Sequence, residues 1–205
     1  MTKGQASPRG APDGRLLRSE RSRELIADAL YELLREGDIV PSAQKVADRA
    51  GVGIRTVFRL FSDMDELYAT VNARLEFEFA PMLRDGACEG APLGERVGSL
   101  VVERVAFFER VGVYMRFTNR NRERSVFLAS NYRKLTVRLR ERLLHWLPEL
   151  RDATPALVEA LDQATSFEAW DRFRFDQKLS RPRAQAAMEC ATEALVGTLD
   201  VKETT

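Results

Sequence analysis

Apolar residues recur every three or four positions along most of the chain, and this spacing constrains the fold more than any other feature. Between residues 22 and 36, Ile26, Leu30, Leu33 and Leu34 fall on one side of a helix. Similar stripes follow over residues 97–115 and 128–146. We find no convincing alternation of apolar and polar residues, the pattern that predicts a half-buried strand. The sequence therefore predicts an all-α fold, with a compact three-helix head followed by a larger helical bundle.

The charges are numerous but balanced. The 205 residues include 32 basic and 31 acidic side chains, for a net charge of +1, so affinity for nucleic acid would depend on a local excess of positive charge. The first 23 residues have such a local excess, with six basic side chains and two acidic ones. Residues 1–17 have few apolar side chains, and we predict that they form a disordered basic arm.

The segment AGVGIRTVFRLF, residues 50–61, predicts a turn followed by a short basic helix. Pro41 and Ser42 open the preceding helix, with Ser42 as its N-cap. That helix ends near Gly51, which can adopt the left-handed conformation that helix ends often require. Two short helices joined by such a turn describe a helix-turn-helix.

The second helix of this pair, predicted over residues 53–60, has two distinct faces. Arg55 and Arg59 are four positions apart and therefore share one face. The residues predicted to pack inward are Ala47, Ala50, Val52, Val57 and Phe61. Those predicted to project outward are Ile54, Arg55, Phe58 and Arg59. The alternative is an ordinary three-helix core whose arginines are only solvated.

Residues 21–68 resemble the DNA-binding head of TetR-family transcriptional regulators. The residues that match the family pattern are Ala47, Ala50-Gly51-Val52, Thr56-Val57-Phe58, Phe61, Ser62 and Glu66-Leu67. The resemblance implies a sequence-specific DNA-binding regulator that reads a pseudo-palindromic operator as a homodimer. It also implies a repressor that a small apolar ligand releases from double-stranded DNA. The expected domains are a helix-turn-helix domain at residues 18–66 and a helical ligand-binding and dimerisation domain at residues 67–200.

DNA contacts are expected from the basic start of the chain and from the helix-turn-helix. Arginine in the major groove commonly reads guanine, and Phe58 stands at an aromatic position of the family. The sequence departs from the family at Leu60 and Met64, where the family commonly has a His and a Lys that touch phosphate. The expected DNA-binding residues are Arg18, Arg21, Ser42, Gly53, Ile54, Arg55, Thr56, Phe58 and Arg59.

Large apolar and aromatic side chains between residues 93 and 147 fall on more than one helical face. They either fill a solid core or line a cavity for an apolar or aromatic effector. The polar residues 116–122 are either a solvated loop or the rim of that cavity. In the second case, Arg116 would favour an acidic ligand through a charge-assisted bond. The predicted ligand-binding residues are Phe108, Met115, Phe117, Asn119, Phe127 and Tyr132.

Two helices predicted over residues 155–176 and 182–198 carry small and apolar side chains that permit close helix approach. Two copies related by a two-fold axis would form a four-helix interface. The residues expected at this homodimer interface are Leu157, Leu161, Ala187, Ala191 and Leu195.

Nothing in the sequence predicts catalysis, a metal site or a cofactor. His145 is the sole histidine, which excludes zinc sites built from several histidines. No apolar run approaches the roughly 20 residues that span a bilayer, and no secretory segment accompanies the two cysteines. We therefore expect a cytoplasmic protein with no membrane partner. The alternative function is a helical protein-interaction module with weak or vestigial DNA binding.

Overall fold

The computed structural model describes residues 14–83 and 90–199, and the regular structure within these ranges is helical. Two 3-10 helices (Ala80–Leu83 and Pro148–Arg151) and a π-helix (Arg172–Asp176) accompany the α-helices. The predicted all-α fold is confirmed. The α-helices are α1 (Gly14–Arg35), α2 (Ala43–Ala50), α3 (Ile54–Leu60), α4 (Met64–Phe79), α5 (Leu93–Asn121), α6 (Val126–Trp146), α7 (Pro155–Ala164), α8 (Phe167–Asp171) and α9 (Arg181–Val196).

Packing divides the chain into two compact units, one that extends to Val71 and one that starts at Asn72. This division lies within α4, the same helix that contains the predicted domain boundary after residue 66. Each unit has its own set of buried apolar side chains.

Helix α1 is longer than its apolar stripe. It begins at Gly14 rather than at the predicted residue 22, so residues 14–17 belong to a helix and not to a disordered arm. Leu16 and Leu17 are 60% and 50% exposed, so no buried stripe marks this first part of the helix. The first thirteen residues of the predicted arm lie outside the described residues.

Helices α1, α2 and α3 pack around a common apolar core, which we call the head core. Each apolar side chain that is removed from water contributes roughly 1.5–3 kcal/mol, so this packing holds the short helices in place. The predicted inward positions Ala47, Val57 and Phe61 are confirmed as buried, while Ala50 and Val52 are half-buried. The buried residues of the head core are Ile26, Ala27, Ala29, Leu30, Leu33, Leu34, Val46, Ala47, Val57, Phe61 and Leu67.

Helix α4 begins with a reciprocal capping arrangement. The Asp63 carboxylate accepts the backbone N–H of Glu66 at 2.9 Å, and the Glu66 carboxylate accepts the N–H of Ser62 at 2.7 Å. These bonds satisfy two donors that would otherwise be unpaired near the helix start. The spacing of Ser62 and Asp65 by itself predicts a capping pair with Ser62 as the N-cap. The capping side chain is instead Asp63, because the helix starts at Met64.

The second unit is built on α5, a helix of 29 residues that packs on α6, α8 and α9. Helix α7 packs on α9. The largest contribution to the stability of this unit comes from the burial of apolar side chains between these helices. The residues of this core cluster are Val97, Leu100, Leu143, Trp146, Leu147, Leu150, Val158, Leu161 and Val196.

The predicted helix over residues 155–176 is interrupted after Ala164. Ser166 has an extended backbone, and its hydroxyl accepts the N–H of Ala169 at 3.2 Å, so that a new helix begins at Phe167. Serine favours this N-cap role over a helix interior, because its side chain can replace a backbone hydrogen bond. The prediction of one continuous helix is therefore wrong.

Within residues 14–83 and 90–199, no helix is both long enough and apolar enough to span a bilayer. The His, Cys, Asp and Glu side chains of the same ranges form no group of three or more that could hold a metal ion.

Candidate functional site

A tight turn places α3 directly after α2. Ser42 is exposed, and its hydroxyl accepts the backbone N–H of Lys45 at 3.2 Å, which caps α2. At the other end of α2, Gly51 has a φ of 67°, in the left-handed region that favours glycine. The Val52 N–H then donates to the Ala47 carbonyl at 3.0 Å, as in a Schellman motif. The predicted turn at Gly51 is confirmed.

Helix α3 presents a basic and aromatic surface. Val57 is 1% exposed and packs in the head core, whereas Arg55, Phe58 and Arg59 are exposed. Residues three and four positions apart are neighbours on a helix, so these three side chains form one continuous surface. Phe58 is 51% exposed, although a phenylalanine of a stable core is usually buried. We call Arg55, Phe58 and Arg59 the reading face.

The other predicted DNA-binding residues differ in exposure. Arg18 and Arg21 are exposed on the first half of α1. Ile54 and Thr56 are half-buried on α3, so only part of each side chain is accessible. Gly53 is the exposed N-cap of α3 and supplies no side chain to cap it.

Arg23 of α1 joins α3 to the start of α4, a role that the sequence analysis missed. Its guanidinium donates to the Leu60 carbonyl and, at 2.7 Å, to the Glu66 carboxylate, and its central carbon lies 4.2 Å from the centre of the Phe61 ring. The Ser62 N–H and then the Arg23 guanidinium hold the pKa of Glu66 below its usual 4.5. These contacts link residues at least 37 positions apart, so no local sequence pattern announces them.

The predicted effector-binding residues lie in the second unit and differ in burial. Phe108, Met115 and Phe117 are 1%, 5% and 4% exposed on α5. The Phe108 ring meets the Phe167 ring edge-on, with centroids 5.6 Å apart. Phe108, predicted to line a cavity, therefore packs on α8. The half-buried residues of the set are Asn119, Phe127 and Tyr132.

Two of these half-buried residues meet at one carboxylate. The Tyr132 hydroxyl donates to Glu168 Oε1 at 2.7 Å, and the Asn119 side-chain amide donates to the same oxygen at 3.0 Å. Burial, followed by the bond to Glu168, raises the pKa of the Tyr132 hydroxyl. Two predicted ligand-binding residues thus share a partner, Glu168 of α8, that is not among the predicted site residues.

Arg116, the arginine expected to orient an acidic ligand, already has partners within the chain. Its Nη1 lies 3.1 Å from the Asp171 carboxylate, and its guanidinium carbon lies 3.8 Å from the centre of the Phe175 ring. Burial is the largest influence on the Asp171 carboxyl and raises its pKa. This ion pair uses one terminal nitrogen of the guanidinium, so an acidic ligand would have to share Arg116 with Asp171. The contact between Arg116 and an acidic ligand stays a prediction.

The predicted dimer residues also differ in exposure. Leu161 is 0% exposed and lies in the core cluster of its own subunit, so it has no surface to offer to a second copy. Its place in the predicted interface is a wrong assignment, because it lies on the inward side of α7. On α9, Ala184 and Met188 occupy the buried side. The half-buried residues of the predicted interface are Leu157, Ala187, Ala191 and Leu195.

Comparison with solved structures relates this fold to known proteins. A transcriptional regulator from Rhodococcus sp. Rha1 is similar with a TM-score of 0.66 and 22% sequence identity, over 88% of this chain and 98% of that one. A TetR transcription regulator from Haloarcula marismortui ATCC 43049 is similar with a TM-score of 0.58 and 18% identity, over 87% of this chain and 98% of that one. No protein-family model and no curated protein matches the chain by sequence. The chain has the all-α fold of TetR-type transcription regulators.

Proposed function

We propose that this chain is a sequence-specific DNA-binding transcriptional regulator of the TetR family. The observation that carries the proposal is the reading face, which is exposed on the second helix of a helix-turn-helix. The first helix of this motif is capped by Ser42 and ends in the turn at Gly51. The fold shared with two transcription regulators supports it.

The dimensions of α3 suit the major groove of DNA. A helix with its side chains is about 10–12 Å across, and the major groove of B-DNA is about 12 Å wide. Arg55 and Arg59 would reach guanine edges or phosphates, and Thr56 a phosphate or a base edge. Phe58 would lie against the sugar-phosphate backbone, which accounts for an aromatic ring left exposed to water in the free protein.

We propose that the regulator acts as a homodimer on a pseudo-palindromic operator. The half-buried residues of α7 and α9 would form a four-helix interface with a second copy. Two-fold symmetry would place the two α3 helices about 34–36 Å apart, one turn of DNA, or a multiple of that distance.

The DNA-binding proposal is tested by selecting DNA from a random library with the purified protein. We expect enrichment of a two-fold symmetric site. Arg55→Ala should weaken binding to that site by about 1–3 kcal/mol and leave binding to random DNA nearly unchanged, if Arg55 reads a base. Arg138→Ala, which removes an exposed arginine from α6, is the matched control for the loss of one charge.

Two outcomes would contradict the proposal at different points. Equal weakening on selected and random DNA by Arg55→Ala would assign that arginine to phosphate and refute base reading. If no sequence is enriched, the protein does not read DNA, and the helical protein-interaction module becomes the better interpretation.

We also propose that the regulator is a repressor that a small apolar ligand releases from its operator. A ligand that binds the DNA-free state more tightly must lower DNA affinity by the same factor. A thermal-shift screen of neutral aromatics, apolar acids and cations, followed by DNA-release assays on the hits, tests this proposal. If no stabilising compound releases DNA, effector control by such ligands is refuted.

A further inference from the structure

Among residues 90–199, one arginine is buried without enough hydrogen-bond partners. Arg104 of α5 is 1% exposed. One guanidinium nitrogen, Nη2, donates to the backbone carbonyl of Leu139 on α6. The Nε and Nη1 atoms are buried and have no hydrogen-bond partner among the described residues. Three N–H groups of a buried cation are therefore left without an acceptor.

The two carboxylates that attract Arg104 electrostatically, those of Glu103 and Asp162, are bound to other side chains. Glu103 accepts from Arg142 Nε at 3.2 Å and from the Trp146 indole at 3.3 Å. Asp162 of α7 lies 3.5 Å from Arg140. Both acids attract Arg104 through space, but neither accepts a hydrogen bond from it.

Burial opposes the charge that Arg104 carries. It lowers the pKa of the guanidinium to about 10, so the group is still protonated at neutral pH. A buried cation with unmet donors is costly, because it has lost its hydration without gaining equivalent bonds. An acceptor from outside the chain would remove this cost.

We propose that Arg104 anchors a buried site for the carboxylate of a small apolar acid, between α5, α6 and α7. A carboxylate supplies several acceptor positions and forms short, charge-assisted bonds with guanidinium. A monoanion suits the site better than a phosphate dianion, because the unmet donors belong to one positive charge, that of Arg104. We assign the acid an apolar body because the neighbours of Arg104 one helical turn to either side, Leu100 and Phe108, are apolar and buried.

The Arg104 site would bind the effector proposed above, so its role in regulation rests on that proposal. The anchor is Arg104 and not Arg116, which is paired with Asp171. Binding itself is measured without DNA, so the two proposals can fail separately. A carboxylate that binds at Arg104 but does not release DNA would refute effector control alone.

The experiment is a ¹H–¹⁵N NMR titration of the full chain with phenylacetate and with phenylacetamide, which has the same ring and a neutral head. A hydrogen bond to a charged group is worth about 1.5–3 kcal/mol, so we expect phenylacetate to bind about 10- to 100-fold more tightly than the amide. Arg104→Met should abolish this preference. Arg138→Met, the matched loss of an exposed arginine on α6, should retain it.

Arg104→Met is expected to fold, because replacing a buried charge by an apolar side chain of similar length is often neutral or stabilising. The Arg104 Nε–H resonance of the wild-type protein gives a second measurement that needs no variant, and it should shift with phenylacetate and not with phenylacetamide. Equal affinity for the two compounds, a preference that survives Arg104→Met, or no binding of phenylacetate at millimolar concentration would each overturn the proposal.

Discussion

Replacing Arg23 by methionine should loosen the end of α3 without disturbing α1, since methionine is also a good helix former. The change removes the bond to the Leu60 carbonyl and the stacking on Phe61. The hydrogen bond to the Leu60 carbonyl is worth about 1.5 kcal/mol, the lower end of the range for a charged donor. The contact with the Phe61 ring is worth about 0.5–1 kcal/mol. The ion pair with Glu66 adds little, because the side chains are 34% and 40% exposed. The expected loss is about 2 kcal/mol.

Amide hydrogen exchange of the full chain measures this loss where it occurs. A loss of about 2 kcal/mol corresponds to a roughly 30-fold rise in the opening equilibrium of the segment. Peptides that cover residues 54–62 should therefore exchange roughly 30-fold faster in the Arg23→Met variant, while peptides of the second unit are unchanged. Arg35→Met is the matched control on α1, because Arg35 is exposed and its contacts, a 3.4 Å pair with Glu32 and a ring contact with Tyr31 at 5.9 Å, lie within α1.

If Arg23→Met changes exchange over residues 54–62 by less than twofold, or no more than the control does, Arg23 does not hold the end of α3. Glu66→Gln tests how much of the lost stability comes from the ion pair between Arg23 and Glu66. It removes the charge but keeps an acceptor for the Ser62 N–H, so its effect should be small beside that of Arg23→Met. A Glu66→Gln effect as large as that of Arg23→Met would show that the ion pair, and not the carbonyl bond and the ring contact, holds the segment.

Three further predictions concern other parts of the molecule. Ser42→Ala should destabilise the first unit by about 1 kcal/mol in urea unfolding, whereas Ser42→Asp should retain the cap on α2. Ala187→Glu combined with Ala191→Glu should give monomers by light scattering and abolish operator binding; a dimer that persists would place the interface elsewhere. Arg96 lowers the pKa of Glu149 below its ordinary 4.5, so the stability that this pair contributes is present above pH 4.5 and is lost as the pH falls through the lower folded value. Thermal unfolding between pH 6 and pH 3 should therefore show a smaller decline in Tm for Glu149→Gln than for the wild type.

The sequence predicted those helices whose apolar stripes are buried, and it failed where a helix end lies outside the core. The stripe of α1 starts at Ile26, which is 0% exposed, whereas Leu16 and Leu17 lie in the helix but remain largely in water. Periodicity reports burial, so it cannot mark a helical segment that buries nothing. The break at Ser166 was missed for the opposite reason, because the apolar pattern continues on both sides of it through Leu161 and Phe167.

The partners of buried charged residues also could not be predicted from the sequence. Arg104 interrupts an apolar stripe, one turn from both Leu100 and Phe108, and this signal was available in the sequence. The pairing of Arg116 with Asp171 was not, because 55 positions separate the two residues and only the packing of α8 on α5 brings them together. A local pattern can therefore identify a buried charge, but it cannot tell whether that charge already has a partner.

The reading face depends on residues that would never touch DNA. Helix α3 has only seven residues, and a helix of this length is not stable alone because nucleation costs more than so few hydrogen bonds return. Its direction is therefore set from outside, by Val57 and Phe61 in the head core, by the turn at Gly51 and by Arg23 on α1. The exposed side chains of α3 contribute little to this framework, so they are free to change without unfolding the head. It follows that substitutions in the reading face should alter which DNA sequence is bound, whereas substitutions at Gly51 or Arg23 should weaken binding to all sequences alike.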